Sequence, residues 1–436
     1  MSRTSFLTVI AGALAAPALA LAAYVPQAEP VLKSSDHEKA GKVIGEWIEA
    51  NREQKDIAEK AEKMWAELAK WEKKEKRDPL SMTADLQQAL WHSHGYDKQR
   101  VGKKGSVEDI EVKVGDGTSW SYSVHLPSKY KADDRPYPLL LLVPEKYTDG
   151  EKPKDWIVEN WVSSDVRDGA VLVVVHMPED VAIWGEVFAE DRKRLGGVGA
   201  ILQTFAEVKD RFAVDFDKVF VIGRMEGLVP AIRVGSYFPD RFAGIAGRSG
   251  DISENLSAKN FKNLPTWFSG PGANVTAFAE QIDKLGYGNC TVLPEGKEED
   301  LWNWIVSTRR VSNPTSIALD PGTPFPRKAY WLEIPPWDGV GEAAISATVD
   351  RATNTITVDG KGVVEVTLFL SDLIVDLERE VRVICNGVTH IDMIPRSKSV
   401  FEKTILLSRS DAGKLYVCEK TYDLPAAVTG GSGDGN

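Results

Sequence analysis

Hydrophobic positions follow three successive patterns along the chain, and each predicts a different kind of structure. Between residues 37 and 77 there is no proline, and Ile57, Ala61, Met64, Leu68 and Trp71 recur at steps of four, three, four and three, the spacing of one helical stripe. Ala40, Val43, Ile44, Trp47 and Ile48 form a similar stripe just before it, which fits either one long helix or a helical hairpin. Charges of both signs fill the other faces. Asp78-Pro79 ends the pattern, because the residue before a proline disfavours the α region. Two readings of this 37–77 helix stand side by side: a stripe packed on the chain's own next domain, or a surface for a protein partner.

Farther along, short wholly apolar runs alternate with helical periodicity. Tyr137 to Val143 and Ala170 to Val175 read as strands buried on both faces of a parallel sheet, followed by a helix over 196–212. Strands over 219–222, 242–246, 265–268 and 290–293 follow, with helices over 228–237 and 277–285 between them. Such βαβ alternation predicts an α/β, doubly wound and mostly parallel sheet with helices on both faces. From Pro324 the period becomes two. Segments at 329–334, 344–349, 355–358, 364–370, 381–385 and 414–418 alternate as strands, separated by turns such as Arg351 to Asn354, Asp359-Gly360 and Asn386-Gly387. Their count and spacing predict an all-β sandwich.

The organisation expected is a signal peptide at 1–22, a helical segment at 37–100, a sheet domain at 108–310, a sandwich at 318–425 and a disordered tail at 426–436. Arg3, the apolar run from Phe6 to Ala16 and the small residues around Ala20 carry the export pattern, so the location expected is secreted or periplasmic, with no membrane span after signal cleavage. Gly102 to Gly105 reads as a linker. At 436 residues the chain exceeds what one core usually holds. Its net charge of −11 argues against nucleic acid as a partner. Three cysteines permit at most one bridge; Cys385 and Cys418, both on expected sandwich strands, are the pair to oppose one another, with Cys290 a buried thiol.

The stretch most loaded with chemistry is VFVIGRMEGLVPAIRVGSYFPDRFAGIAGRSG, residues 219–250. A strand ends at Ile222, Gly223 and Gly227 bracket a turn, and a helix begins. This resembles the nucleophile elbow of the α/β-hydrolase superfamily, Gly-x-Ser-x-Gly, with Gly223, Arg224, Met225, Glu226 and Gly227 in its five positions. The run Tyr237-Phe238-Pro239-Asp240-Arg241-Phe242 is similar to the segment that follows the elbow helix in esterases and peptidases of that superfamily. The third unit is similar to one appended to exported esterase-like or prolyl-oligopeptidase-like proteins, in which a strand resembling Leu368 to Val375 precedes one ending in Asn-Gly.

The resemblance implies a Ser-His-Asp relay, and each position departs from it. Met225 stands at the nucleophile and has no proton to lose. After the last strand Gly296 leads through Lys297 and Glu298 to Glu299 at the histidine position, and a solvated carboxylate, with a pKa near ~4.3, is too weak a base for a hydroxyl. Asn274 stands where the acid is expected, and Pro144 removes an N–H from the loop that supplies oxyanion donors. Of the six histidines only His390 follows the elbow, in another unit. The reading is a pseudoenzyme that binds a small molecule or peptide in a vestigial cleft, with Arg224, Glu226, Glu299 and His176 as its polar groups, or with Arg224 and Glu226 merely paired to their neighbours. The alternative is an active serine hydrolase with relocated residues, Ser249 served by His176. No cofactor is expected, and no metal: His92 and His94 lack an acidic or histidine pair at ligand spacing. Gly196-Gly197-Val198-Gly199 opens a helix without a P-loop lysine and reads as close helix–strand packing.

Overall fold

The computed structural model describes residues 29–96, 104–113, 119–132, 136–147, 152–190, 194–252, 256–322 and 324–426. The expected signal segment, residues 102–103 of the linker and the tail from 427 lie outside the described residues.

The 37–77 run is a hairpin rather than one rod: α1 (Ser34–Glu53) and α2 (Ile57–Glu75) are separated by a turn in which Gln54 and Asp56 both take a φ of 54°. The second helix stops at Lys76, left-handed at φ 57°, whose N–H closes on the Glu72 carbonyl; Pro79 comes after the end and does not cause it. A third helix, α3 (Thr83–His92), completes this layer. Met64, Leu68 and Trp71 are buried, and with Ile44 and Trp47 they share one core with the C-terminal strands. Trp65 also donates from Nε1 to Glu402 at 2.6 Å. The apolar stripe therefore faces this chain's own interior, which corrects the reading of it as a surface for a partner.

The central sheet follows: β1 (Val107–Lys113), β2 (Ser119–His125), β3 (Tyr137–Val143), α4 (Pro153–Asn160), α5 (Ser164–Gly169), β4 (Val171–Val175), α6 (Gly197–Arg211), β5 (Val214–Arg224), α7 (Leu228–Tyr237), β6 (Gly244–Gly250), β7 (Thr266–Pro271), α8 (Ala273–Lys284), β8 (Cys290–Leu293) and α9 (Glu298–Ser307). The spatial order is β1-β2-β4-β3-β5-β6-β7-β8. Every pair from β4 to β8 is parallel, while β1/β2 and β2/β4 are antiparallel. Separate apolar clusters cover its two faces, which is why β3 and β4 read as unbroken apolar runs.

The last unit holds β9 (Ser316–Leu319), β10 (Lys328–Ala329), β11 (Leu332–Glu333), β12 (Ala344–Asp350), β13 (Thr355–Lys361), β14 (Glu365–Leu370), β15 (Val381–Cys385), β16 (Val388–Asp392), α10 (Lys398–Ser408) and β17 (Cys418–Asp423). Two sheets, β10-β11-β14-β17 and β16-β15-β13-β12-β9, form a sandwich-like pair. One helix, α10, is inserted between β16 and β17, started by the Ser397 hydroxyl accepting from the Val400 N–H. The single strand expected at 329–334 is broken where Tyr330 turns at φ 57°. Asn386 and Gly387 do form the β15–β16 turn, at φ 46° and 85°. Cys385 and Cys418 lie in different sheets and both are free thiols, so the expected bridge is absent.

Candidate functional site

At the end of β5, Met225 takes a φ of 49° and α7 begins at Leu228. Both flanking glycines are required by close approach: a Cβ on Gly223 would stand 2.5 Å from the Gly227 carbonyl oxygen, and one on Gly227 would stand 2.2 Å from that of Val143 and 2.5 Å from that of Pro144. A non-glycine residue held at positive φ costs on the order of 1–3 kcal/mol. Met225 recovers little of that by burial, since its side chain is 45% exposed.

Above the turn lies a cleft of about 580 Å³, walled by the β4–α6 connection, α7 and the exits of β6 and β7. It sits beyond the carboxyl ends of the parallel strands, where open α/β sheets place their ligands. Met225, Glu226, Glu186, Arg233, Asp251 and Asn274 line it. Asp251 is tied to the start of α8: its Oδ1 accepts from the Val275 N–H at 3.0 Å and its Oδ2 from Asn274 Nδ2 at 3.2 Å. Negative charge there is favoured by the helix N-terminus. Asn274 also donates to the Ile252 carbonyl at 2.7 Å, so its amide fastens the loop that carries Asp251. Arg233 donates to Gly185 O at 2.9 Å and to Glu186 at 3.0 Å. Three carboxylates against one guanidinium leave the cleft acidic.

No histidine lines this cleft. His37 pairs with Asp85 at 2.8 Å, His125 meets the Arg167 carbonyl at 3.2 Å, and His390 packs beside Tyr422. His94 is half-buried between Tyr96 and Phe216, and desolvation there pushes its pKa down to about 4. His176 Nε2 lies 2.8 Å from Ser123 Oγ, which donates to Asp109 at 2.6 Å. The order is acid, hydroxyl, imidazole, whereas a nucleophile relay needs the imidazole between the other two. Ser123 is buried besides, and burial lowers the His176 pKa although Asp109 opposes the shift.

The relocated pair is corrected by the strand order. β3 and β5 separate His176, after β4, from Ser249, on β6. Three interstrand steps amount to roughly 14 Å. Ser249 is exposed at φ 65° and has no imidazole beside it.

Three further expected cleft residues are divided by the fold. Glu226 lines the cleft. Glu299 is exposed in the first turn of α9 and is not part of the wall. Arg224 turns to the other side of the elbow, where it hydrogen-bonds Asn160 Oδ1 and stands 3.5 Å from Glu145. Its register neighbour Arg248 donates to the Asn160 carbonyl at 3.0 Å and lies over Trp161, 5.0 Å from the ring. The sequence reading missed Glu186, Arg233 and Asp251. Asp251 carried a signal, a carboxylate at the exit of a parallel strand; Glu186 and Arg233 carried none, since their meeting depends on the path of a long connection.

A mostly parallel eight-stranded sheet whose central strand passes through a glycine-bracketed turn at positive φ into a helix defines an α/β-hydrolase-type fold, here with helices before it and a sandwich-like unit after it. No protein-family model and no curated protein matches the chain. Among solved structures it is similar to a thermostable esterase at 16% identity and TM-score 0.38, over 47% of this chain and 63% of that one. It is also similar to an S-formylglutathione hydrolase from Staphylococcus aureus, at 10% identity and TM-score 0.34 over 46% of this chain and 95% of that one. A ferulic acid esterase from Anaeromyces mucronatus stands at 11% identity and TM-score 0.34, over 49% and 93%. The fold assignment rests on strand order and elbow geometry, not on likenesses at these scores. Among the described residues no group of His, Cys, Asp and Glu is placed to hold a metal ion, and no helix is long and apolar enough to cross a membrane.

Proposed function

We propose that this chain is a catalytically inactive relative of the α/β hydrolases that binds a ligand in its elbow cleft, and that it works outside the cytoplasm, as the export pattern at 1–22 implies. One observation carries the reading: the side chain at the elbow is a thioether, and no imidazole lines the cleft around it. Nucleophilic acyl transfer needs an oxygen or sulfur that can lose a proton to a nearby base. Glu226, Glu186 and Asp251 give the cleft an acidic character, which suits a cationic or polyhydroxylated small molecule or peptide group better than a fatty one.

The test is exposure of the purified protein to a serine-directed fluorophosphonate, beside an ordinary esterase. The expected result is no adduct on this chain. Stoichiometric labelling at any serine overturns the reading, and the mapped position names the nucleophile.

A further inference from the structure

A second cavity, of about 390 Å³, lies between the central sheet unit and the sandwich and shares no residue with the elbow cleft. Pockets at the junction of two units are a common place for ligands, and this volume falls in their usual range. In a chain of net charge −11, seven lysines and arginines line this cavity against three carboxylates.

Those three carboxylates are already committed. Asp240 pairs with Lys414 at 2.6 Å, Asp411 with Arg310 at 2.6 Å, and Glu333 with Lys328 at 3.3 Å. Lys209 and Arg241 have no carboxylate within ion-pair distance among the described residues. Lys209 is 6% exposed; its ammonium donates to the Ser408 carbonyl at 2.8 Å and stands 4.3 Å from the Phe216 ring centre. The Arg241 guanidinium stands over Phe238 at 4.4 Å. Phe238 in turn packs on Phe325, with ring centres 5.0 Å apart, so the cations border an aromatic wall.

A buried cation without a counterion is costly, and Lys209 registers that cost. Burial, with the positive charges of Arg310, Lys414 and Arg241, presses its pKa down to about 7 against the pull of Asp411. The other neighbours of its ammonium are Phe205, on its own helix, and Phe216, beyond which stands His94. Nothing of the kind occurs in the elbow cleft, where the charge excess has the opposite sign.

We infer that this cavity binds a small organic anion, a carboxylate or phosphate ester on a flat apolar body, with its acid group answering Lys209 and Arg241 and its body against Phe238 and Phe325. The apolar wall supplies contact area, and the two cations supply selectivity for charge. No covalent step is involved.

The test is calorimetric titration of the whole protein with benzoate, phenyl phosphate and, as a neutral control, benzyl alcohol. At least one anion binds with a Kd of about 1 mM or tighter, and benzyl alcohol binds at least about tenfold more weakly. Which anion wins distinguishes a carboxylate from a phosphate ligand. Lys209→Met and Arg241→Met, folded by circular dichroism, each weaken that anion about tenfold, while Met225→Trp in the other cleft leaves it unchanged. Should both variants fail to fold, the unmutated protein still decides. Anion binding near pH 8 takes up protons, measured in two buffers of different ionisation enthalpy with the anion that binds, because benzoate and phenyl phosphate are both already fully ionised there. Equal affinity for benzyl alcohol, no binding of either anion at about 10 mM, undiminished affinity in both folded variants, or binding without proton uptake overturns the inference.

Discussion

Arg310 and Asp411 meet as a two-point ion pair, Nη1 to Oδ2 at 2.7 Å and Nη2 to Oδ1 at 2.6 Å, with both side chains buried. The same guanidinium reaches Asp217 on β5 from Nε at 3.0 Å, so one side chain ties the central sheet to the loop before β17. Burial alone raises the Asp411 pKa, and the Arg310 charge outweighs it, holding the carboxyl well below the usual range. Removing one partner of such a pair leaves the other buried and uncompensated. Arg310→Met is expected to lower the unfolding free energy by about 3–5 kcal/mol in urea denaturation; a loss within experimental error contradicts this role.

The elbow carries strain without a visible catalytic use for it. Met225→Gly removes the steric conflict at φ 49° while sacrificing little burial, and is expected to raise stability by about 1 kcal/mol. Gly227→Ala does the reverse, because its new Cβ meets backbone that cannot swing aside. Thermal unfolding of the two variants checks both signs. A destabilised Met225→Gly means the Met225 side chain makes contacts that matter more than its exposure implies.

Lys209 makes stability depend on pH in a defined window. Its folded pKa of about 7 lies below the ordinary lysine value of 10.5, so between these values the unfolded chain binds more protons. Stability from this group therefore rises with pH from about 7 to about 10, by at most about 4 kcal/mol. Comparing the unmutated protein with Lys209→Met by urea denaturation across that range isolates the contribution, and the variant is expected to show the shallower rise. Parallel curves contradict it.

All three thiols are free, and burial raises each of them, Cys290 and Cys385 to about 11 and Cys418 to about 12. Native protein is expected to react slowly with a thiol reagent at neutral pH, and unreduced, denatured protein to take up three equivalents. One equivalent implies a bridge.

What the sequence revealed follows from how locally each feature is determined. β3 (Tyr137–Val143) and α7 (Leu228–Tyr237) match their expected ranges because burial on both faces, or a helical stripe, is written in consecutive residues. The edge strand β1 and its neighbour β2 do not stand out, since β1 is half-exposed and carries charges and β2 is buried over only part of its length. The helix α10 is hidden inside an alternating region, and β17 starts later than the alternation implies because Ala412 to Lys414 form a short helical turn. At the site, Met225 and Glu226 were legible because the glycines fix the turn around them. The place of His176 at a strand end points to the cleft. Only the antiparallel pairing of β2 with β4, which brings Ser123 against it, shows that it faces elsewhere. Arg224 and Glu226 are two residues apart, and the turn at Met225 sends them to opposite sides.

The central claim is that the elbow lacks a base as well as a nucleophile, and the most direct measurement is turnover of a short activated ester by Met225→Ser. A serine there inherits the backbone that Gly223 and Gly227 preserve, yet finds no imidazole in the cleft and Asp251 already engaged by Val275 and Asn274. A lone hydroxyl is a poor nucleophile at neutral pH. The predicted result is turnover indistinguishable from that of the unmutated protein. Turnover well above that background contradicts the account, because it requires a base already poised beside position 225.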